Sequence, residues 1–288
     1  MHPFDYLAPK SVDDAVSALS RHGDRARCLA GGTDVLVQAR AGRWDLDAIV
    51  DVKNIPETNV LSLDDSGLRL GGAVPCYRVY ETDEVAKTYP GIVDAASIIG
   101  GIQIQSRAGL GGNLCNSSPS ADGICPLIVH NTECVIHGPN GTRTVRAEEF
   151  CTGPGQNVLQ NGELLVEMKV PKPQPGFGAA YQRFTPRNEM DIAIAGVGSS
   201  VQMNGNTIQS ARVALAAVGP TPILSKAGDV LAGKEATQEN ISAAAQAAAE
   251  DAHPIDDMRG TVDQRKHLIG VLTRRTLEKA IQRAQESR

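Results

Sequence analysis

The sequence predicts an α+β protein of three lobes rather than one continuous parallel sheet. Three observations carry this reading. Alternating strand and helix patterns are confined to residues 1–57. Two later Asn-Gly pairs, Asn140-Gly141 and Asn204-Gly205, each sit between strand-like runs and signal hairpins. From Ile241 onward the pattern is helical.

The first lobe follows from local signals. Ser11 opens a helix, with Asp14 three residues on. Val12, Ala15, Val16 and Leu19 recur at helical spacing, and Gly23 ends the run. Residues 26–30 form a short strand that stops at Gly31-Gly32. Residues 34–40 read as a helix, 48–52 as a strand, and Pro56 closes the unit.

The second lobe, 58–175, opens on a strand at 67–73 with Leu68 and Leu70 on one face. Residues 79–87 and 91–99 read as helices, 100–122 as a glycine-rich loop, and 124–131 as a helix. A hairpin is expected at 134–145 and a strand at 164–170. Pro171, Pro173 and Pro175 then interrupt any sheet and mark a boundary. The third lobe, 176–288, pairs a strand at 192–203 with a return strand at 208–218. Helices follow at 229–231, 241–252 and 262–284.

Composition narrows the function. The 288 residues carry 28 basic and 33 acidic side chains, a net charge of −5, with no basic run. Nucleic acid and anionic membrane surfaces both need clustered Lys and Arg, so neither is an expected partner. No apolar stretch approaches the ~20 residues of a membrane span. The opening MHPFDYLAPK lacks a basic and apolar leader, so a cytoplasmic location is expected. Aromatics are only 3%, which leaves Ala, Val, Ile and Leu to build the cores.

The six cysteines form no CxxC pair and are expected to be reduced thiols. Their spacing and that of the six scattered histidines support no metal site and no acid–base grouping. No catalytic residue is assigned.

Two loops carry the chemistry. Leu29, Ala30, Gly31, Gly32, Thr33, Asp34, Val35 and Leu36 join a strand to a helix. Glycine lets a backbone approach a phosphate, and a helix start presents free N–H groups to it. Gly109, Leu110, Gly111, Gly112 and Asn113 begin a second run that continues through Ser117, Ser118 and Ser120 to Asp122. It offers many donors with little bulk, as a pyrophosphate requires. Either loop alone could be an ordinary turn. Two of them, on adjacent lobes, suggest a ligand held between lobes.

At these residues the chain resembles the FAD-binding medium subunit of the molybdenum hydroxylases, the family of xanthine dehydrogenase and aerobic carbon monoxide dehydrogenase. AGGTD at residues 30–34, GLGGN at 109–113 with the following NLCNSSPSAD, FDYLAPKSVDDAV near the start, ELLVEMKVP at 163–171 and RGTVDQRKHLIGVLTRR at 259–275 carry the resemblance. It implies two FAD-binding lobes of the vanillyl-alcohol-oxidase type plus a C-terminal α+β domain with an antiparallel sheet. It also implies FAD contacts at residues 29–36 and 109–113, with Asp122 near the ribityl or ribose end. Leu165 would cover a ring of the cofactor and Arg183 would lie near the flavin. Residues 184–191, with Arg187, Glu189 and Asp191, would flank the isoalloxazine. Gly109 stands where the family often has Thr, with Ser106 and Ser117 as the nearby substitute hydroxyls, and Gln105 where it commonly has Arg.

The function so implied is electron transfer within a heteromer. A large subunit with a molybdenum cofactor and a small subunit with [2Fe–2S] clusters would be partners, in a dimer of heterotrimers. Electrons would leave through FAD to NAD, a quinone or another acceptor. The rivals are a self-contained FAD oxidoreductase of the same fold and a non-enzymatic scaffold.

Overall fold

The computed structural model describes residues 2–287 and builds the α+β fold from three main sheets in chain order. The first contains β1 (Asp5–Leu7), α1 (Val12–His22), β2 (Ala26–Leu29), α2 (Val35–Arg40) and β3 (Ala48–Asp51). Its strand order is β1-β3-β2, parallel throughout. Ser11 caps α1, its Oγ accepting the Asp14 N–H at 3.1 Å. Ala15, Val16 and Leu19 then pack on Ala48 and Val50.

The second sheet has the order β4-β5-β10-β6-β7, antiparallel throughout. Its strands are β4 (Leu61–Asp64), β5 (Gly67–Gly71), β6 (Glu133–Gly138), β7 (Gly141–Arg146) and, after the small β8 (Cys151–Gly153) and β9 (Gln156–Asn157) pair, β10 (Leu164–Pro171). Between β5 and β6 run α3 (Cys76–Glu81), α4 (Asp83–Thr88), α5 (Pro90–Ala96), α6 (Leu110–Asn116) and α7 (Ile124–Val129); α8 (Ala147–Phe150) follows β7. The helix expected over 79–87 is therefore two helices. They break at Thr82, whose hydroxyl donates to the Arg78 carbonyl at 2.6 Å. The loop expected over 100–122 contains α6. Its glycines oppose helix formation, but burial of Leu110 and Leu114 in the core offsets that cost.

The third sheet comprises β11 (Phe177–Phe184), β12 (Ala195–Asn204), β13 (Thr207–Ala216) and β14 (Ile223–Ser225), in that order. After α9 (Ala227–Leu231), β15 (Lys234–Glu235) pairs with β13. Helices α10 (Gln238–Asp251) and α11 (Val262–Glu286) cover one face, burying Ile241, Ile269, Leu272 and Leu277. Sequence periodicity missed β11 because Gly178, Ala179 and Ala180 hide its alternation. Neighbouring helices crowd both faces: a Cβ on Gly178 would sit 2.0 Å from the Ala280 carbonyl oxygen of α11, and the Ala179 Cβ would lie 3.0 Å from a Cβ on Gly91 of α5.

Asp94 on α5 fastens the third sheet to the second lobe. It accepts from Arg283 at 2.6 and 2.9 Å, from Lys279 at 3.0 Å and from the Tyr181 N–H at 3.0 Å. Burial alone would raise its pKa; Arg283, the Tyr181 N–H and Lys279 outweigh it and hold the carboxyl below its ordinary value. Among the described residues no helix is long and apolar enough to cross a membrane.

His130, beside this junction, packs between Tyr89 and Phe177 and holds the Pro126 carbonyl through Nδ1 at 2.8 Å. Burial pushes its pKa down to about 4. An unfolded chain therefore takes up a proton between about pH 6.5 and pH 4 that the folded chain refuses. Stability from this group is whole above pH 6.5 and is lost as pH falls. The urea midpoint should drop between pH 7 and pH 5 by an increment equivalent to about 2 kcal/mol. A His130→Leu variant should lack that increment; an unchanged pH dependence would refute the assignment.

Candidate cofactor-binding cavity

Backbone contact, not side chains, sets the position of the two glycine loops. A Cβ on Gly31 would lie 2.1 Å from the Arg107 carbonyl oxygen, and one on Gly111 would lie 2.3 Å from that of Gly72. Real Cβ atoms do not approach so closely, so both positions need glycine. The first contact brings the first loop onto the segment that precedes α6. The second seats α6 against the end of β5. Gly112 is different: it lines a cavity and nothing lies within 4 Å of where its Cβ would stand.

That cavity has a volume of about 830 Å³, a size typical of sites for sizeable organic ligands. Ala30, Gly31, Gly32, Thr33, Asp34 and Val35 line it from the first lobe. Gly109, Gly111, Gly112, Asn113, Asp122 and Leu165 line it from the second, and Arg183 from β11. Three expected residues are not in its wall. Leu29 and Leu110 are buried in hydrophobic cores, and Leu36 is partly exposed beside Gly32.

Among the described residues, the N–H groups of Gly31, Gly32, Thr33 and Asp34 donate no hydrogen bond. Those of Leu110, Gly111 and Gly112 are equally unpaired, because the first bond at the start of α6 runs from Asn113 N to Gly109 O at 3.0 Å. Neither α2 nor α6 has a side-chain cap. N–H groups left without a protein partner are open to water or to a ligand, and two strings of them on one cavity make an anion cradle. Asn113 steadies its rim by accepting the Gly123 N–H at 2.9 Å. The cradle therefore fits a pyrophosphate.

Asp122 is less free than its sequence position suggests. Arg183 Nη1 donates to Oδ2 at 2.5 Å and the Tyr181 hydroxyl to Oδ1 at 2.8 Å. Burial raises the Asp122 pKa, while Arg183 and Tyr181 oppose the rise. The pair ties β11 to the loop after α6 and leaves Arg183 neutralised beside the cavity.

The segment expected at 184–191 reaches the cavity only at its end. Met190, Asp191, Ile192 and Ala193 line the wall, and the Met190 N–H donates to Gly100 O at 3.0 Å. Arg187 points to solvent and Glu189 is exposed outside the wall. Asp191 is committed to the turn, accepting the Arg187 and Ile192 N–H groups.

Both departures from the family pattern have local reasons. A Cβ at Gly109 would fall 2.4 Å from the Val74 carbonyl oxygen, so this backbone excludes Thr. Ser117 donates to Leu114 O, and Ser106 is exposed outside the wall; Ser118 and Ser120 are the serines that line it, with Thr33 and Thr152. Gln105 is buried and structural, donating to the Ser97 and Ile99 carbonyls and accepting from Tyr80.

Sequence reasoning passed over Gly72, Arg27, Arg43 and Trp44, all in the wall. The Gly71-Gly72 doublet at a strand end and the single tryptophan were the available signals. Cys28 and Cys115 also line the wall, with thiol pKa values raised by burial. Among the described residues no three His, Cys, Asp or Glu side chains group to hold a metal.

Comparison with known proteins finds FAD-binding relatives over nearly the whole chain. Residues 2–173 match the model of the FAD binding domain in molybdopterin dehydrogenase, and residues 179–280 that of the CO dehydrogenase flavoprotein C-terminal domain. The carbon monoxide dehydrogenase medium chain of Hydrogenophaga pseudoflava is 32% identical, covering 96% of each chain. The xanthine dehydrogenase FAD-binding subunit of Escherichia coli O157:H7 is 30% identical, over 96% of this chain and 95% of that one. A chain of the CO dehydrogenase structure from Oligotropha carboxidovorans superposes with a TM-score of 0.94 at 29% identity, covering 98% of this chain and 99% of that one. One of quinoline 2-oxidoreductase from Pseudomonas putida 86 gives 0.91 at 27% identity, with 98% of each chain covered.

The two kinds of glycine should separate by substitution. Gly111→Val should overpack the α6 contact and cost about 1–3 kcal/mol, several degrees of melting temperature. Gly112→Leu should leave the melting temperature within about 2 °C and sharply lower retained FAD, read from flavin absorbance. Equal destabilisation by both would refute the division.

Proposed function

The chain belongs to the family of FAD-binding medium subunits of molybdenum hydroxylase-type dehydrogenases, and from that premise we propose that it relays electrons from a partner's iron–sulfur clusters through FAD to an external acceptor. FAD is its cofactor and it is an oxidoreductase subunit. Bound FAD supplies the exchange between one-electron and two-electron transfer.

The observation that carries the reading is the double string of unpaired amides around one cavity. In this proposal Ala30, Gly31, Gly32, Thr33 and Asp34 face one side of the pyrophosphate and Gly111, Gly112 and Asn113 the other. Lobes 1–57 and 58–175 supply these loops, and 176–288 closes one end with Arg183. Leu165 covers a ring of the cofactor. The Asp122–Arg183 pair holds β11 in place and sets the charge at that end.

The chain's own side chains support electron relay over substrate chemistry. No His or Tyr lines the cavity among the described residues. Asp122 has both oxygens engaged, so it is a poor general base. Substrate choice would then belong to a large subunit with a molybdenum cofactor, and electron supply to a small subunit with two [2Fe–2S] clusters. A dimer of such heterotrimers, with NAD, a quinone or another acceptor, completes the proposal.

Purification from native cells tests it. The chain should co-elute with partners that bring molybdenum and iron, and acid should release FAD. Flavin reduction by an organic substrate should require those partners. Reduction of the isolated chain by substrate alone would favour a self-contained oxidoreductase. Absence of flavin would favour a scaffold.

A further inference from the structure

One part of the cavity wall is built around the one tryptophan of the chain, carried on the first sheet's side, whereas Arg183 comes from β11. Trp44 packs on the small core of Leu29, Ala39, Leu46 and Ile49. The Arg27 guanidinium lies over its ring at 5.0 Å and that of Arg43 at 5.5 Å. All three residues line the cavity.

Neither guanidinium has a carboxylate within ion-pair distance among the described residues. The neighbouring Asp45 is engaged by Arg25 at 3.3 Å. Arg27 donates only to the Asp24 and Ala26 carbonyls, and Arg43 to Gln38 Oε1 at 2.8 Å. Gln38 in turn donates to Asn116 Oδ1 at 2.9 Å, which links this stack to the end of α6. Two like charges gathered on one ring and facing a cavity, with Asp24 acting on Arg27 only from beyond ion-pair distance and no carboxylate paired with Arg43, favour an anion. A guanidinium over an indole also keeps its N–H edge free for phosphate and its outer face free for a purine.

We propose that Arg27, Trp44 and Arg43 form the subsite for the adenosine monophosphate half of the dinucleotide, and that this stack makes the chain select FAD over FMN. The inference rests on the assignment of FAD to the cavity. The amide cradle meets the pyrophosphate, which both ends of FAD share. The stack meets only the half that FMN lacks.

The test titrates the full-length chain, stripped of flavin, with FAD and with FMN. In the wild type FAD should quench Trp44 emission and bind at least tenfold more tightly than FMN, and AMP should compete with it. Arg43 is exposed, so Arg43→Ala should fold normally. It should weaken FAD tenfold or more, leave FMN within threefold, and abolish competition by AMP. Trp44→Phe, which preserves an aromatic ring in the core, should weaken FAD in the same selective way, read by flavin fluorescence. Equal losses for FAD and FMN, or no loss for either variant, would overturn the subsite alone. Failure of the wild type to bind any flavin would overturn the cavity assignment beneath it.

Discussion

Everything at the cavity depends on backbone meeting backbone without a side chain between. Gly31 against Arg107 and Gly111 against Gly72 remove the atoms that would hold the loops apart. The approach leaves the amides of both loops with no partner inside the protein. Donors so gathered on one cavity wall are available to an anionic ligand. Helix α6 is uncapped, and its Gly111 and Gly112 N–H groups belong to the same cradle, whereas in α2 the Leu36 and Gln38 N–H groups are already taken by the Gly32 and Asp34 carbonyls.

Much of this was legible in the sequence because glycine is its own signal. The pairs at 31–32 and 111–112 mark where the two loops come together, with bulk excluded at Gly31 and Gly111 and room left at Gly112, and the Asn-Gly hairpins and capped α1 follow local chemistry. What stayed hidden was tertiary. Nothing in the run Gly109–Asn113 announces a helix, since its stability comes from burying Leu110 and Leu114. Strand β11 is disguised by small residues that let α11 and α5 pack on its two faces. The partners of Asp122 come from Tyr181 and Arg183, on a strand remote in sequence. Pair interactions of that kind leave no trace in a local pattern.

Glycines that look alike in the sequence divide by what surrounds them. Gly31, Gly109 and Gly111 abut main chain, whereas Gly112 abuts space. The first group sets shape and the second sets capacity. The same logic explains why a hydroxyl could be lost at position 109 without loss of the cradle: the backbone there is committed to Val74, and the donors lie one residue further on.

The Asp94 clamp orders events in time as well as in space. Arg283 and Lys279 lie near the end of α11, and Arg283 also holds the Ala179 carbonyl of β11. The strand so held carries Arg183, the partner of Asp122 at the cavity. During synthesis the ribosome releases the glycine loops long before it releases α11. The cavity wall is therefore finished only after α11 has left the ribosome, so the glycine loops wait for a helix far downstream before their cradle is closed.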